Sequence, residues 1–374
     1  MYKKNWFKIH LILGVTAGVI LLVIGLTGSI LSFEKEILDV VNKKSHIVEV
    51  PKTEKLTTSQ LLTKFKEKFP KAKINGITFS QAKDSSVIIN IAGGKGRAAR
   101  RGINYYVNPY TSEILPSIQG HGFFKFIENI HRRLAMGEVG KQIVGASTLC
   151  LFLLMFSGVY LYWKKMKKSF LKSFTFSFDS KGRGFLASMH SSFGLWMIPM
   201  YLVVSITGLY WSYSWFNAGL YKIAGVEKPQ RMKRGQNTQN TNKNQKAISY
   251  NEIENVVILF NRNVQEYEKA SLKFSSKKGI YTIYYIDESS THPRARNTIT
   301  ISADSSTIQS NKKFIDLPLN ERLMKSIYAL HTGEYFGIIG KIIMFISSLI
   351  MVLFTVTGVM MYQKRNKNSS EKIR

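Results

Sequence analysis

The sequence predicts an α-helical membrane protein: four transmembrane helices in two repeats of parallel topology, with two small α+β modules outside the bilayer. Three observations predict it. Four apolar blocks, at residues 9–33, 142–163, 185–211 and 336–362, are separated by very polar stretches. Histidines, glycines and a lysine recur between the blocks at two fixed offsets. The two long segments outside the blocks repeat one order of helix and strand patterns.

Each block supplies the ~20 apolar residues that a helix rising ~1.5 Å per residue needs to cross ~30 Å of hydrocarbon. A mean hydropathy of −0.06 over 374 residues conceals them, because the intervening segments are so polar. In lipid every backbone N–H and C=O must be satisfied within the segment, which makes helix the spanning form. The first block follows Lys3, Lys4 and Lys8, as a secretory signal would. It is too long for a signal core, however, and runs into Ser32-Phe33-Glu34-Lys35 with no small-residue cleavage site, so it is expected to stay attached. The expected division is a first span at 9–33, an outer module at 34–130, a second span at 131–163, a loop at 164–184, a third span at 185–213, a linker with a second outer module at 214–330, a fourth span at 331–363 and a tail at 364–374.

Lys+Arg number 53 against 23 Asp+Glu, a net charge of +30. Such an excess raises nucleic acid first, but membrane-length blocks give most of the basic residues another explanation, and nucleic acid is set aside as a partner. The one cysteine, Cys150, lies in an apolar block, which excludes a disulfide framework, an iron–sulfur cluster and a cysteine-type zinc site. Orientation follows from the short flanks. Lys3, Lys4 and Lys8 precede the first span; Lys164, Lys165, Lys167, Lys168 and Lys172 follow the second; Lys364, Arg365 and Lys367 follow the fourth. All three flanks belong on the cytoplasmic side, which places both termini there and the two outer segments in the periplasm.

His10, Gly14 and Thr27-Gly28 in the first span recur as His190, Gly194 and Thr207-Gly208, each 180 residues on. His131, Gly137, Gly140, Lys141, Gly158 and Tyr162 recur as His331, Gly337, Gly340, Lys341, Gly358 and Tyr362, each 200 residues on. Both halves start inside and return inside, so a pseudo-twofold axis along the membrane normal is expected to relate them. Equivalent residues would then face each other: His10 with His190 near the cytoplasmic face, His131 with His331 near the periplasmic face. The repeated Gly28, Gly158, Gly208 and Gly358 are expected to let helix backbones approach closely.

Ionisable residues at membrane spans are costly and functional. Two imidazoles on opposite sides of a planar macrocycle are the axial set of a low-spin b-type haem, and zinc would want further ligands that do not recur with the pairs. No Cys-x-x-Cys-His occurs, which excludes covalent attachment. Two b-type haems are therefore expected, with His10, His190, His131 and His331 as ligands to the iron. Arg132, Arg133, Lys141 and Lys341 are candidate partners for haem propionates, a role equally served by snorkelling at the interface. His131 lies nearly three helical turns above the apolar core of its span, so either Gly137 and Gly140 break the helix or the haem sits partly in the periplasmic layer. His46, His121 and His292 fall outside the repeat and are expected at the surface, with His121 the best substitute ligand.

In the first outer segment Leu61, Leu62, Phe65 and Phe69 form a helical stripe ended by Pro70, residues 74–79, 87–91 and 103–107 read as strands, and Asn108-Pro109-Tyr110-Thr111 reads as a turn. In the second, Ile253, Val256, Val257 and Phe260 mark a helix, and residues 280–286 and 298–301 read as strands. Gly93-Gly94-Lys95-Gly96 lacks the Ser/Thr and the helix start of a phosphate loop and reads as a hairpin tip. Arg97, Arg100 and Arg101 beside it would draw in anionic chelates or serve as a solvated loop. Residues 228–246, rich in Gln, Asn and Lys, read as a linker.

The runs Ile130-His131-Arg132-Arg133-Leu134 with Gly137-Glu138-Val139-Gly140-Lys141, Met189-His190 with Phe193-Gly194, and Leu330-His331-Thr332-Gly333-Glu334 with Phe336-Gly337 resemble the PepSY-associated transmembrane helix family. The outer modules resemble PepSY domains, including the turn at Asn108. The resemblance covers essentially the whole chain, departing at Tyr162-Trp163, where the family has Trp-Trp, and at Gln363. It implies an iron-regulated inner-membrane protein, and for some members a haem-containing reductase of ferric siderophores. The expected function is an inner-membrane oxidoreductase passing electrons from a quinol or a cytoplasmic reductase to a periplasmic ferric siderophore or other ferric chelate. The alternatives are a membrane-anchored PepSY binding or regulatory protein, and a siderophore or haem transporter. Anchors have no use for repeated histidines, and the few acidic residues within the spans weigh against a transporter.

Overall fold

The computed structural model describes residues 2–93, 102–229, 249–274 and 279–371, without the side chains of 366–371. Gly94, Lys95 and Gly96, the cluster Arg97, Arg100 and Arg101, and most of the polar stretch 228–246 lie outside the described residues. In chain order the main elements are α1 (Tyr2–Leu31), α2 (Thr58–Lys68), β1 (Ile74–Phe79), β2 (Val87–Ile91), β3 (Ile103–Val107), α3 (His121–Arg133), α4 (Gly137–Lys168), α5 (Gly182–Ser212), α6 (Tyr250–Asn263), β4 (Lys269–Lys273), β5 (Ile280–Ile286), β6 (Asn297–Ser302), β7 (Thr307–Lys312), α7 (Ile327–Thr332) and α8 (Gly337–Glu371). They form two compact units: a helical unit of Met1–Glu34, His121–Val226 and Ser326–Arg374, and a sheet unit of Lys35–Gly120 and Glu227–Lys325.

Four helices of the helical unit are long and apolar enough to span a membrane: Tyr2–Leu31, Gly137–Lys168, Gly182–Ser212 and Glu334–Arg365. α1 packs on α4 and α8, and α5 packs on the same two, closing a four-helix bundle. Small residues set the approach of α1 to α8. A Cβ on Gly25 would stand 2.8 Å from the Ser348 carbonyl oxygen, and Thr355 donates to the carbonyl of Gly18 at 3.0 Å. Such contacts drive helix association in lipid, where apolar burial between helices gains little. Ala17, Leu21, Leu151, Tyr201 and Met351 form the centre.

The span expected at 131–163 contains a reversal. Leu134 and Ala135 take φ of 49° and 57°, Gly137 takes 61°, and α4 begins only there. Gly140 packs so tightly on the Arg133 carbonyl that any Cβ would overlap it. The second half uses the same device: Gly333 and Gly337 take φ of 80° and 61°, and Gly340 packs on the Gly333 carbonyl. Left-handed backbone is available to glycine without the steric cost of a Cβ. The reversals lay α3 along α1 and α7 along α5, which brings His131 and His331 beside the spanning helices.

In the sheet unit all seven strands form one antiparallel sheet in the order β3-β2-β1-β4-β5-β6-β7. The two outer segments, read as separate modules, thus contribute to a single sheet, joined where β1 pairs β4 from Gly76↔Lys273 to Phe79↔Ala270. At that seam a Cβ on Gly76 would overlap the Leu272 carbonyl. α2 and α6 pack together, with Glu254 accepting from the backbone N–H of Ser59 at 2.8 Å in the first turn of α2, where a carboxylate is favoured by the unpaired donors and the helix dipole. Leu62, Phe65, Ile89, Phe260, Leu272, Ile283 and Ile299 share one core. His292, expected at the surface, is only 4% exposed; its Nδ1 accepts from the Arg294 N–H at 3.2 Å, and its ring lies 5.5 Å from Phe314.

Candidate functional site

Two histidine pairs stand in the helical unit. His10 on α1 and His190 on α5 have ring centres 6.3 Å apart with planes at 76°; His131 on α3 and His331 on α7 have ring centres 6.3 Å apart with planes at 70°. The pairings are those the sequence offsets predict. A direct hydrogen bond between imidazoles would bring the ring centres to about 5 Å. Two metal–nitrogen bonds of about 2 Å each, with half a ring at either end, span about 6 Å. The observed separation fits the second arrangement at both pairs.

Every one of the four rings is held through Nδ1 by a hydroxyl on a neighbouring helix. His10 meets Ser157 at 2.8 Å, His190 meets Thr357 at 2.9 Å, His131 meets Thr27 at 3.0 Å and His331 meets Thr207 at 2.8 Å. His131 Nδ1 also lies 3.1 Å from the Ile24 carbonyl. Metal-ligating histidines are oriented by such bonds to the nitrogen that does not bind. Ser157 and Thr357 were not singled out from the sequence. Their signal is there all the same, because each precedes a recurrent glycine, as Thr27 and Thr207 do.

Those glycines correct an expectation. Gly28, Gly158 and Gly208 face histidine rings rather than helix backbones: a Cβ would stand 3.2 Å from Cε1 of His131, 3.5 Å from Cε1 of His10 and 3.9 Å from Cε1 of His331. The backbone-approach role falls to Gly25. Gly358 would place a Cβ with nothing within 4 Å among the described residues.

A cavity of about 400 Å³ opens at the His131–His331 pair. Its lining combines the apolar Leu21, Leu151, Tyr201 and Met351 with the basic Lys125, Arg132, Arg133 and Lys141 and the acidic Glu34 and Glu128, the bases outnumbering the acids. That distribution suits a flat apolar group carrying carboxylates at one edge. Arg132 pairs with Glu128 at 2.7 Å and Lys141 with Glu138 at 2.9 Å. Lys341 is 6% exposed and stands outside the cavity lining, while His121 is exposed and lines it. Trp211 meets the His331 ring edge-on at 5.2 Å. Aromatic contacts also lead from one pair to the other: His190 lies 5.0 Å from Phe354, Phe354 lies 6.0 Å from Tyr201, and Tyr201 lines the cavity.

The model of the PepSY-associated TM region family matches residues 7–365, a stretch that takes in all four histidines and both reversals. The chain belongs to this family. No curated protein matches it. Within this PepSY-associated chain, both pairs share one ring separation and one mode of Nδ1 bonding, and the His131–His331 pair in addition lines a cavity.

Proposed function

We propose that the protein is a haem-containing oxidoreductase of the bacterial inner membrane, passing electrons across the bilayer to a ferric chelate in the periplasm. One observation carries the reading: two histidine pairs at one ring separation, 6.3 Å, each ring anchored through Nδ1. His10 with His190 and His131 with His331 would each hold one b-type haem, with Arg132, Arg133 and Lys141 the candidates for propionate binding at the outer one. Haem bound at two depths supplies one-electron carriers on either side of the apolar centre. The lysine-rich flanks of α1, α4 and α8 support cytoplasmic termini, and the matching offsets of 180 and 200 residues support descent from a duplication with a pseudo-twofold axis.

The substrate reading is one-electron reduction of Fe(III) in a siderophore or similar chelate, with electrons from a quinol or a cytoplasmic reductase. Hard oxygen donors hold Fe(III) tightly and Fe(II) far more weakly, so reduction releases the metal. The test is anaerobic mixing of the dithionite-reduced protein in detergent with ferric chelates, following haem reoxidation and a ferrous trap. Reoxidation faster than a buffer control, with matching Fe(II) release, supports the substrate. Reoxidation by another periplasmic acceptor and by no ferric chelate leaves the electron conduit and removes the iron.

A further inference from the structure

The four hydroxyls that meet the histidines are each bonded a second time. Thr27 donates to the Val23 carbonyl at 2.6 Å, Ser157 to Leu153 at 2.6 Å, Thr207 to Val203 at 2.6 Å and Thr357 to Leu353 at 2.8 Å, always four residues back on the same helix. A hydroxyl has one proton, and a carbonyl oxygen can only accept. The proton is therefore committed to the carbonyl, and the hydroxyl oxygen meets Nδ1 as an acceptor. Nδ1 must then be the protonated nitrogen. At His131 the Ile24 carbonyl, 3.1 Å from Nδ1, makes the same demand independently. A neutral imidazole has a single N–H, so in all four rings the lone pair is left on Nε2.

We propose that Thr27, Ser157, Thr207 and Thr357 are positioning residues that lock the four histidines in the Nδ1–H tautomer, presenting Nε2 as the ligating atom. The inference rests on the haem reading for its purpose and on the hydrogen-bond network for its content. Three of the hydroxyls work with the glycine that follows them: the hydroxyl fixes one corner of the ring, and at Gly28, Gly158 and Gly208 the missing side chain clears Cε1 next to it. The Ser/Thr-Gly dipeptides Thr27-Gly28, Ser157-Gly158 and Thr207-Gly208 are thus seats for an imidazole edge, while at Thr357-Gly358 the hydroxyl alone meets its ring. Without the acceptor, a ring is free to put its proton on Nε2, the form that cannot bind iron through that nitrogen. A donated Nδ1–H also makes the ligand more basic, which favours ferric over ferrous iron and lowers the midpoint potential.

The experiment uses the full chain in detergent, labelled with ¹⁵N-histidine, examined without haem by NMR and then titrated with haem b. The comparison is wild type, Thr207→Val, which keeps shape and removes the acceptor, and Thr207→Ser, which restores it. The lock predicts an N–H-type Nδ1 signal for all four histidines in wild type. It predicts loss of that preference at His331 in Thr207→Val, haem binding at that pair weakened about 10- to 100-fold, and a higher potential for the haem that remains; Thr207→Ser should behave as wild type. Should Thr207→Val fail to fold, Ser157→Ala puts the same question to His10. A haem-loaded chain indifferent to both substitutions, or Nε2–H signals in the haem-free wild type, overturns the lock and leaves the haem reading standing. Four Nδ1–H histidines in a wild-type chain that takes up no haem support the lock and overturn the haem reading.

Discussion

Thr27 holds Nδ1 of His131 at 3.0 Å, and Gly28, the next residue, lies against Cε1 of the same ring, where a Cβ would come within 3.2 Å. Two consecutive residues of α1 thereby define the rotation of an imidazole 104 positions away on α3.

Gly28→Val should consequently displace His131. A side chain there meets both His131 and the Ser348 hydroxyl, each 3.2 Å from the ideal Cβ, and overpacking of this kind costs about 1–3 kcal/mol. Haem content at the His131–His331 pair should fall by half or more, with the His10–His190 pair keeping its spectrum. Gly358→Ala, made where the Cβ meets nothing within 4 Å, should leave both haems in place and gain about 0.5–1 kcal/mol from helix propensity. Equal haem loss in the two variants would remove the ring-seating role of Gly28.

The seam of the sheet offers a separate test. Gly76→Val should break the pairing of β1 with β4, because its Cβ would overlap the Leu272 carbonyl. The expected outcome is a loss of about 1–3 kcal/mol and faster proteolysis in the sheet unit, with haem content retained. Unaltered proteolysis would mean that the two halves of the sheet do not depend on that junction.

Orientation is checked by thiol labelling in a Cys150→Ala background. Ser85→Cys and Asn240→Cys should react from outside in intact spheroplasts, and Lys168→Cys and Ser370→Cys only after permeabilisation. Labelling of position 168 from outside would reverse the topology drawn from the lysine flanks.

The sequence carried the spans and the histidine pairing because both depend on residue type at fixed spacing: apolar runs of membrane length, and histidines repeated in register. It also gave β1, β2, β3 and β5 at their observed limits. β4, reading Lys269-Ala-Ser-Leu-Lys273, alternates only Ala270 and Leu272 with polar residues, and β7, Thr307–Lys312, has Ile308 as its one apolar residue, so neither run stands out from a polar loop. The single sheet was not legible, since β1 meets β4 across nearly two hundred residues of chain and no local pattern encodes that pairing. The role of Gly28, Gly158 and Gly208 is not legible in the sequence for a related reason. A small residue in a spanning helix permits close approach, but only the packing shows whether backbone or an imidazole approaches. Ser157 and Thr357 do not stand out in the sequence because a hydroxyl in an apolar helix ordinarily bonds its own helix's carbonyl, which these do as well.

Whether the two histidine pairs bind haem is read from the haem content and absorbance of the purified protein. The prediction is two b-type haems per chain with low-spin spectra, falling to about one in His10→Ala and about one in His331→Ala. A protein purified from haem-replete cells without haem, or spectra unchanged in both variants, would contradict it.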